Sequence, residues 1–574
     1  MSDPDIISDL KKLEVMVNDL EKAVTQWLAQ KVYQPVSVEN YFSQLEAITK
    51  ISSKVGHFIR LSYSADMTVG NFIEYTGLLN KQKVAVTRLN TRFEAYLAGV
   101  PNLQKMIADS PYLNDFSYRI NELVGNRAYR FPENIEVMVK QLLQNGLESW
   151  ANLQLRRITQ NTIEYDGKVL SMHEFRTLEE TTDKECKCKR NKVLHESFVK
   201  HEEPSLEALN NIKGDVIAVS TARGYSSALT EALNTCRMTE DTLNALLTAC
   251  NENMDSLREY YRIKAGKIGY SVLPYYEISR PIQTSEGRVE RYDIARAENM
   301  IIQSFEGFSD DLAESARTAF RNKWVDYLPR KNKSGAAFCS GIYPLPEFRI
   351  LLNYDHTLNS VRTLAHELGH GYHGLKLGEE IVFRSEVTAV TAETGSTFCE
   401  SVFGDYLEKN TSNEDLLSYY DFMLGGQVGT IVDCLSAFYF EKSLFNKRVK
   451  GPLTVAEMQE ATLMGFRKTY GDAVDVDSYN KNMWVSQLHF YNPALNYYNF
   501  PYTFGMLFSL ALYSKFQEQG PKFIPKYDNF LKMTGSANVE QLGELVEIDV
   551  NDSNVWGKSI QIILDKIDNF KKLI

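Results

Sequence analysis

LNSVRTLAHELGHGYHGLKLGEEIVFRSEVTAVTAETGSTFCE, residues 358–400, is the stretch from which the rest of the chain is read. Its centre, His366-Glu367-Leu368-Gly369-His370, is an H-E-x-x-H pattern. Helical residues four apart lie one above the other, so both imidazoles project from one face. Two imidazole nitrogens at about 2.0–2.1 Å supply half of a tetrahedral zinc shell. Glu367 leans over the same open face, where it can take a proton from a metal-bound water. With nine His in 574 residues, an accidental match is roughly a one-in-a-hundred event by composition. Val361, Leu364, Leu368, Tyr372 and Leu375 form one stripe of this helix, and His366, His370 and His373 another. Such a helix is built to be buried beside a site. Gly369 and Gly371 inside it each cost about 1 kcal/mol against Ala, which predicts something packed closely there.

The helical pattern breaks after Gly378 and resumes as a second helix expected from about Ser385 to Leu407. Glu386, Glu393 and Glu400, seven apart, line one stripe of it. Ala389, Ala392 and Gly395 are small and let this helix approach the first. Glu393 is therefore the expected third ligand, completing a His-His-Glu shell with one position left for water. Glu400, two turns on, is placed to accept the second N–H of a ligand histidine and fix its tautomer.

Composition bounds the rest. Hydrophobic content of 44% and charged content of 24% are those of an ordinary globular chain long enough to bury ample core. A net charge of −11 argues against nucleic acid and against anionic membranes. The opening MSDPDIISDLKKLEV is acidic and helical and does not read as a signal peptide, and no apolar run reaches membrane-spanning length. Seven scattered cysteines without a C-x-x-C pair predict reduced thiols and a cytoplasmic location.

In chain order, Leu10, Leu13, Val17, Leu20, Val24 and Trp27 predict a long first helix ended by Pro35. A second carries Phe42, Leu45, Ile48, Ile51, Val55, Phe58 and Leu61, a third runs from about Gly70 to Ala98, and a fourth spans Asn134 to Gln160. Short connections predict that these pack on one another rather than as a dimerisation coil. TIEYDGKVLS, residues 162–171, reads as a hairpin turning at Asp166-Gly167, and TTDKECKCKRNK after it as a solvated surface run. Gly335, Gly341, Pro344 and Pro346 mark a loop before a strand from Phe348 to Tyr354 that leads into the histidine helix.

HELGHGYH followed by AETGSTFCE, with KSGAAFCSGIYPLPEFRILLNYDHTLNSVRTLA upstream, resembles the oligoendopeptidase F branch of the thimet-oligopeptidase-like zinc metallopeptidases. The likeness extends from about Glu203 to Gly505, with a weaker echo in the N-terminal third. It implies a mainly α fold: a two-lobed helical ellipsoid with a deep central channel and a small β-sheet beside the zinc site. The division expected is an N-terminal helical lobe with a small hairpin over residues 1–195 and a catalytic metallopeptidase domain over 196–574. The implied activity is zinc-dependent hydrolysis of internal bonds in short unfolded peptides, with one Zn2+ on His366, His370 and Glu393 and Glu367 as base. NMWVSQLHFYNPALNYYNFPYTFGMLF, residues 482–508, is similar to the family's H-F-Y…Y-x-Y-x-x-G segment. By position His489 and Tyr502 match, as donors to the substrate carbonyl and its oxyanion. Phe500 stands where a first Tyr is expected, so Tyr498 is a nearby substitute, and a few extra residues lie around Pro493–Leu495. The choice among Tyr491, Tyr497, Tyr498 and Tyr502 stays open. The likeness also implies that an extended peptide adds to the small sheet as a strand. A carboxypeptidase or dipeptidase of the same clan, a zinc-stabilised scaffold and a non-cutting peptide binder are the alternatives.

Overall fold

Spacings of three and four give the first helix, Pro4–Gln30, a stripe in which Leu13, Val17, Leu20 and Val24 are buried. Two neighbours, Pro35–Ala65 and Phe72–Leu97, cover that stripe and add Tyr41, Phe42, Leu45, Leu89 and Phe93 to one core. Pro35 opens the second helix rather than closing the first, because its missing N–H is one that a first turn leaves unpaired anyway. Late in that helix the buried position is Ile59, 3% exposed, while Phe58 is 41% exposed. The expected seam is therefore out of phase there.

The computed structural model describes residues 4–31, 33–68, 72–176, 178, 183–282, 291–342, 345–378, 386–412 and 415–574. Among them the chain is mainly helical, with only small sheets of two or three strands. No helix of these residues is long and apolar enough to cross a membrane, and all seven cysteines are free. By contact the chain forms two compact units. One comprises residues 1–133, 289–406 and 512–548; the other comprises 134–288, 407–511 and 549–574. The helices that end before residue 133 belong to the first unit, and those over residues 134–159, with the hairpin, to the second.

In the second unit, Thr162–Tyr165 pairs antiparallel with Lys168–Ser171. Asp166 and Gly167 take φ of 48° and 76° in the turn, the paired positive values that a two-residue hairpin needs. The single helix expected over 134–160 is two, Glu133–Asn145 and Leu147–Thr159, interrupted at Gly146. The long helix Leu416–Arg448 packs against Val455–Tyr470 and, with Glu240–Lys267 and Ser553–Lys572, forms the unit's interior.

In the first unit, Phe348–Leu351 is the middle strand of a three-stranded sheet, parallel to Val325–Asp326 and antiparallel to Phe338–Gly341. The sheet lies against the histidine helix, Leu358–Gly378, and the glutamate helix, Ala389–Asn410, comes against that helix at Gly369. A Cβ at Gly371 would stand 2.6 Å from the Phe348 ring. A Cβ at Gly369 would stand 2.7 Å from the Ser396 Cα and 2.8 Å from the Gly395 carbonyl oxygen. The two glycines therefore answer to two different neighbours, a strand and a helix. The glutamate helix begins at Ala389, so Glu386 precedes it and does not share its stripe. Gly70, Thr181, Thr182, Pro344 and Ser385, which figured in the expected boundaries, lie outside the described residues.

Gly369→Ala should lower stability by about 1–3 kcal/mol in thermal or denaturant unfolding, because backbone rather than a movable side-chain tip blocks the added methyl. Unchanged stability would show that the two helices can separate freely.

Candidate metal centre

The histidine helix turns Val361, Leu364, Leu368 and Tyr372 into the core, and this fixes where its other face points. His366 and His370, one turn apart, stand with ring centroids 4.8 Å apart at 83°. The glutamate helix brings Glu393 opposite them. Its Oε2 lies 3.4 Å from His366 Nε2 and 3.5 Å from His370 Nε2. Two donors about 2.0–2.1 Å from a tetrahedral ion are necessarily about 3.3–3.4 Å apart, so these spacings suit a shared cation. One ligand atom from each of the three residues lies within 4.8 Å of the others. Two imidazoles and a carboxylate are the donor set expected for zinc with an open position.

The surroundings orient each donor. Glu400 Oε1 accepts from His366 Nδ1 at 2.6 Å, which puts the proton on Nδ1 and frees Nε2 as a ligand. Arg362 Nε stands 3.7 Å from the other Glu400 oxygen. Ser396 Oγ donates to Glu393 Oε2 at 3.2 Å. Burial by itself would lower the His366 pKa, but hydrogen bonds and charge from Glu393 and Glu400 outweigh it and raise it to about 10. Burial would raise the Glu393 carboxyl, yet the two imidazoles hold it well below the usual carboxylate range. Glu400 is likewise held low against its burial by His366 and Arg362. A site that holds two half-buried carboxylates in the charged form in this way attracts a cation.

Glu367 is 6% exposed, and burial raises its pKa against the pull of the two imidazoles. The Cys339 backbone N–H, on strand Phe338–Gly341, donates to its carboxylate. His57, on the second N-terminal helix, meets Ser340 Oγ of that strand at 2.9 Å. His373 departs from the other two histidines. Its Nε2 lies 2.7 Å from Thr534 Oγ1, and burial pushes its pKa down to about 3, so it is a neutral core residue. Glu386 pairs with Arg119 at 3.1 Å instead of joining Glu393 and Glu400.

His489, Tyr498 and Tyr502 gather in the second compact unit. Asn499 Nδ2 donates to His489 Nε2 at 3.0 Å, leaving the ring's proton on Nδ1. Burial, then the charge of Lys213, holds the His489 pKa down at about 4, so the ring is neutral at neutral pH. The Tyr498 and Tyr502 hydroxyls are 2.5 Å apart. Of the four tyrosines, Tyr491 and Tyr497 are buried, whereas Tyr498 and Tyr502 reach solvent. Phe500 is fully buried against Phe438, a packing role in place of a hydroxyl.

Sequence reading missed what anchors this cluster. Lys213 Nζ donates to Glu441 Oε1 at 3.0 Å and to Asn496 Oδ1 at 2.8 Å, with both charged side chains fully buried. Asn496 thereby fixes the turn in which Tyr497 takes a φ of 55° and stacks on Phe445. A lysine between the apolar Ile212 and Val216 of one helix was the available signal.

The family model of Peptidase family M3 matches residues 303–562, which include the histidine helix, Glu393 and the tyrosine cluster. The chain is similar to the oligopeptidase PepF of Bacillus subtilis (strain 168), 22% identical over 556 residues, covering 94% of this chain and 82% of that protein. It is also similar to the group B oligopeptidase PepB of Streptococcus agalactiae, 20% identical over 539 residues, covering 91% and 87%. Its fold is that of the crystal structure of oligoendopeptidase-F from Enterococcus faecium, with a TM-score of 0.71 at 17% identity, covering 100% of this chain and 99% of that one.

His370→Ala and Glu393→Ala should each lose bound metal after dialysis, as read by elemental analysis of the folded protein. Glu400→Ala should keep the ion but bind it about 10–100-fold more weakly. Full metal content in Glu393→Ala would remove that residue from the ligand set.

Proposed function

We propose, from the premise that the chain belongs to peptidase family M3 and its oligoendopeptidase F branch, that it cuts internal bonds of short peptides in a zinc-dependent reaction. The observation that supports this most is the pairing of the His366–His370–Glu393 group with a buried carboxylate, Glu367, one residue from the first donor. A zinc ion held by His366 Nε2, His370 Nε2 and the Glu393 carboxylate supplies Lewis acidity for activating water and polarising a peptide carbonyl.

The chain's own groups do the rest. Glu367, made more basic by burial and held by the Cys339 N–H, takes the proton of the attacking water and returns it to the leaving amine. His366 is kept in the ligating tautomer by Glu400. His489 donates to the substrate carbonyl through Nδ1. Of the bonded Tyr498 and Tyr502 hydroxyls, one donates to the other and the second keeps its proton for the developing oxyanion. Each such donor is worth about 3 kcal/mol. Strand Phe338–Gly341 is an edge of its sheet among the described residues. A peptide added there is held by main-chain hydrogen bonds, which read length and extension rather than sequence.

Glu367→Gln should keep metal and fold while kcat/KM on a quenched fluorescent peptide falls by about 10²-fold or more, and a chelator should abolish the wild-type rate. Peptides blocked at both ends should still be cut internally. Loss of all cleavage on capping either end would instead mark an exopeptidase, and full activity in Glu367→Gln would remove it as the base.

A further inference from the structure

The long helix Leu416–Arg448 buries Ile431, Val432 and Leu435 but leaves one face, with Gly426, Gly429 and Thr430, incompletely covered. Asp433 lies on that face and is exposed. Around it stand tyrosines from two other segments of the same unit. Tyr470 donates its hydroxyl to Asp433 Oδ1. The Tyr275 ring meets Tyr470 edge-on at 5.9 Å and 82°, and Tyr479 at 4.8 Å and 79°. Tyr275 and Tyr479 are only partly buried. No Lys, Arg or His among the described residues pairs with Asp433, unlike Asp421 on the same helix, which Lys264 neutralises at 2.9 Å.

A carboxylate without a counter-ion, bonded by the Tyr470 hydroxyl and close enough to Tyr275 and Tyr479 for its charge to raise their pKa values, is complementary to a cation. Its neighbourhood says what would bring one. Thr503 Oγ1 donates to the Thr430 carbonyl at 3.2 Å, so the residue next to Tyr502 docks three residues, about 4.5 Å of helix rise, from Asp433. The helix that carries Tyr502 thus docks on the same stretch of the long helix as Asp433. We propose that Asp433, with Tyr275, Tyr470 and Tyr479, forms a subsite for a positively charged group of the peptide, a Lys or Arg side chain or the free α-ammonium. This rests on the reading of the chain as a peptidase whose tyrosine cluster meets substrate. Asp433 is open to solvent yet deep enough among protein atoms that desolvation pushes its pKa up to about 6. It remains mostly ionised at neutral pH, and a bound cation would offset that desolvation.

The test is a set of quenched peptides with one Lys moved along the chain, their norleucine counterparts, and each with a free or acetylated N-terminus. The wild-type zinc enzyme should favour Lys at one position, or the free N-terminus, by about tenfold in kcat/KM, chiefly through KM. The first result identifies the side chain as the bound group, the second the α-ammonium. Asp433→Asn, which keeps an acceptor for Tyr470, should bring that ratio near one, and Asp433→Glu should restore most of it. The wild-type ratio should also shrink as salt rises from about 0.05 to 0.5 M, a readout that needs no variant. Equal rates on charged and neutral peptides, a ratio indifferent to salt, or a ratio unchanged in Asp433→Asn would overturn the subsite while cleavage itself stands. Cleavage of none of the peptides would overturn the peptidase reading and the subsite with it.

Discussion

The centre depends on how closely two helices can approach. Neither the histidine helix nor the glutamate helix holds all three donors, so the distance between their axes decides whether Glu393 reaches both imidazoles. At Gly369 the second backbone fills the place of a Cβ, and at Gly395 an added Cβ would stand 3.2 Å from the His373 Cβ. Strand Phe348–Leu351 holds the histidine helix as well, through the Phe348 ring against Gly371. With strand and helix both in contact, the helix has little freedom to rotate, and a rotation of about 20° would carry an imidazole nitrogen roughly 2 Å away from its place. The helix-propensity cost of the two glycines is the counterpart of this fixed register.

Packing sets positions, and charge sets protonation. Arg362, Glu400 and His366 form a chain that holds a proton on Nδ1 and leaves Nε2 facing Glu393 as the nitrogen a cation would take. Glu367, by contrast, is buried without a cationic partner of its own and is made more basic instead. Two carboxylates beside the same imidazoles are thus pushed in opposite directions, Glu393 toward the charged form and Glu367 toward the protonated one. That separation is the physical basis of the proposal that one holds an ion and the other transfers a proton.

Features set by local periodicity were legible in the sequence. H-E-x-x-H puts two imidazoles on one face by helical geometry alone, and the small residues around Glu393 marked a helix that could come close. The stripe in the first N-terminal helix was legible for the same reason. Non-local features were not. Glu386 shares the seven-residue spacing but precedes the helix and pairs with Arg119, a partner from a distant helix that no local period reveals. The Cys339 N–H on Glu367, the buried Lys213–Glu441 pair and the uncompensated charge of Asp433 each join segments far apart in the chain. Spacing left four tyrosines open, and burial divides them, because Tyr491 and Tyr497 are used as core while Tyr498 and Tyr502 keep their hydroxyls accessible. Gly146 shows the limit for helices too: an apolar period running across it did not reveal the break.

The most direct measurement is a crystal structure of the protein grown with zinc, with anomalous differences collected on both sides of the zinc absorption edge. A single peak about 2.0–2.2 Å from His366 Nε2, His370 Nε2 and a Glu393 oxygen, with Glu400 still on His366 Nδ1, is the predicted result. No peak there at full zinc loading, or a peak with Glu393 turned away from both imidazoles, would contradict it.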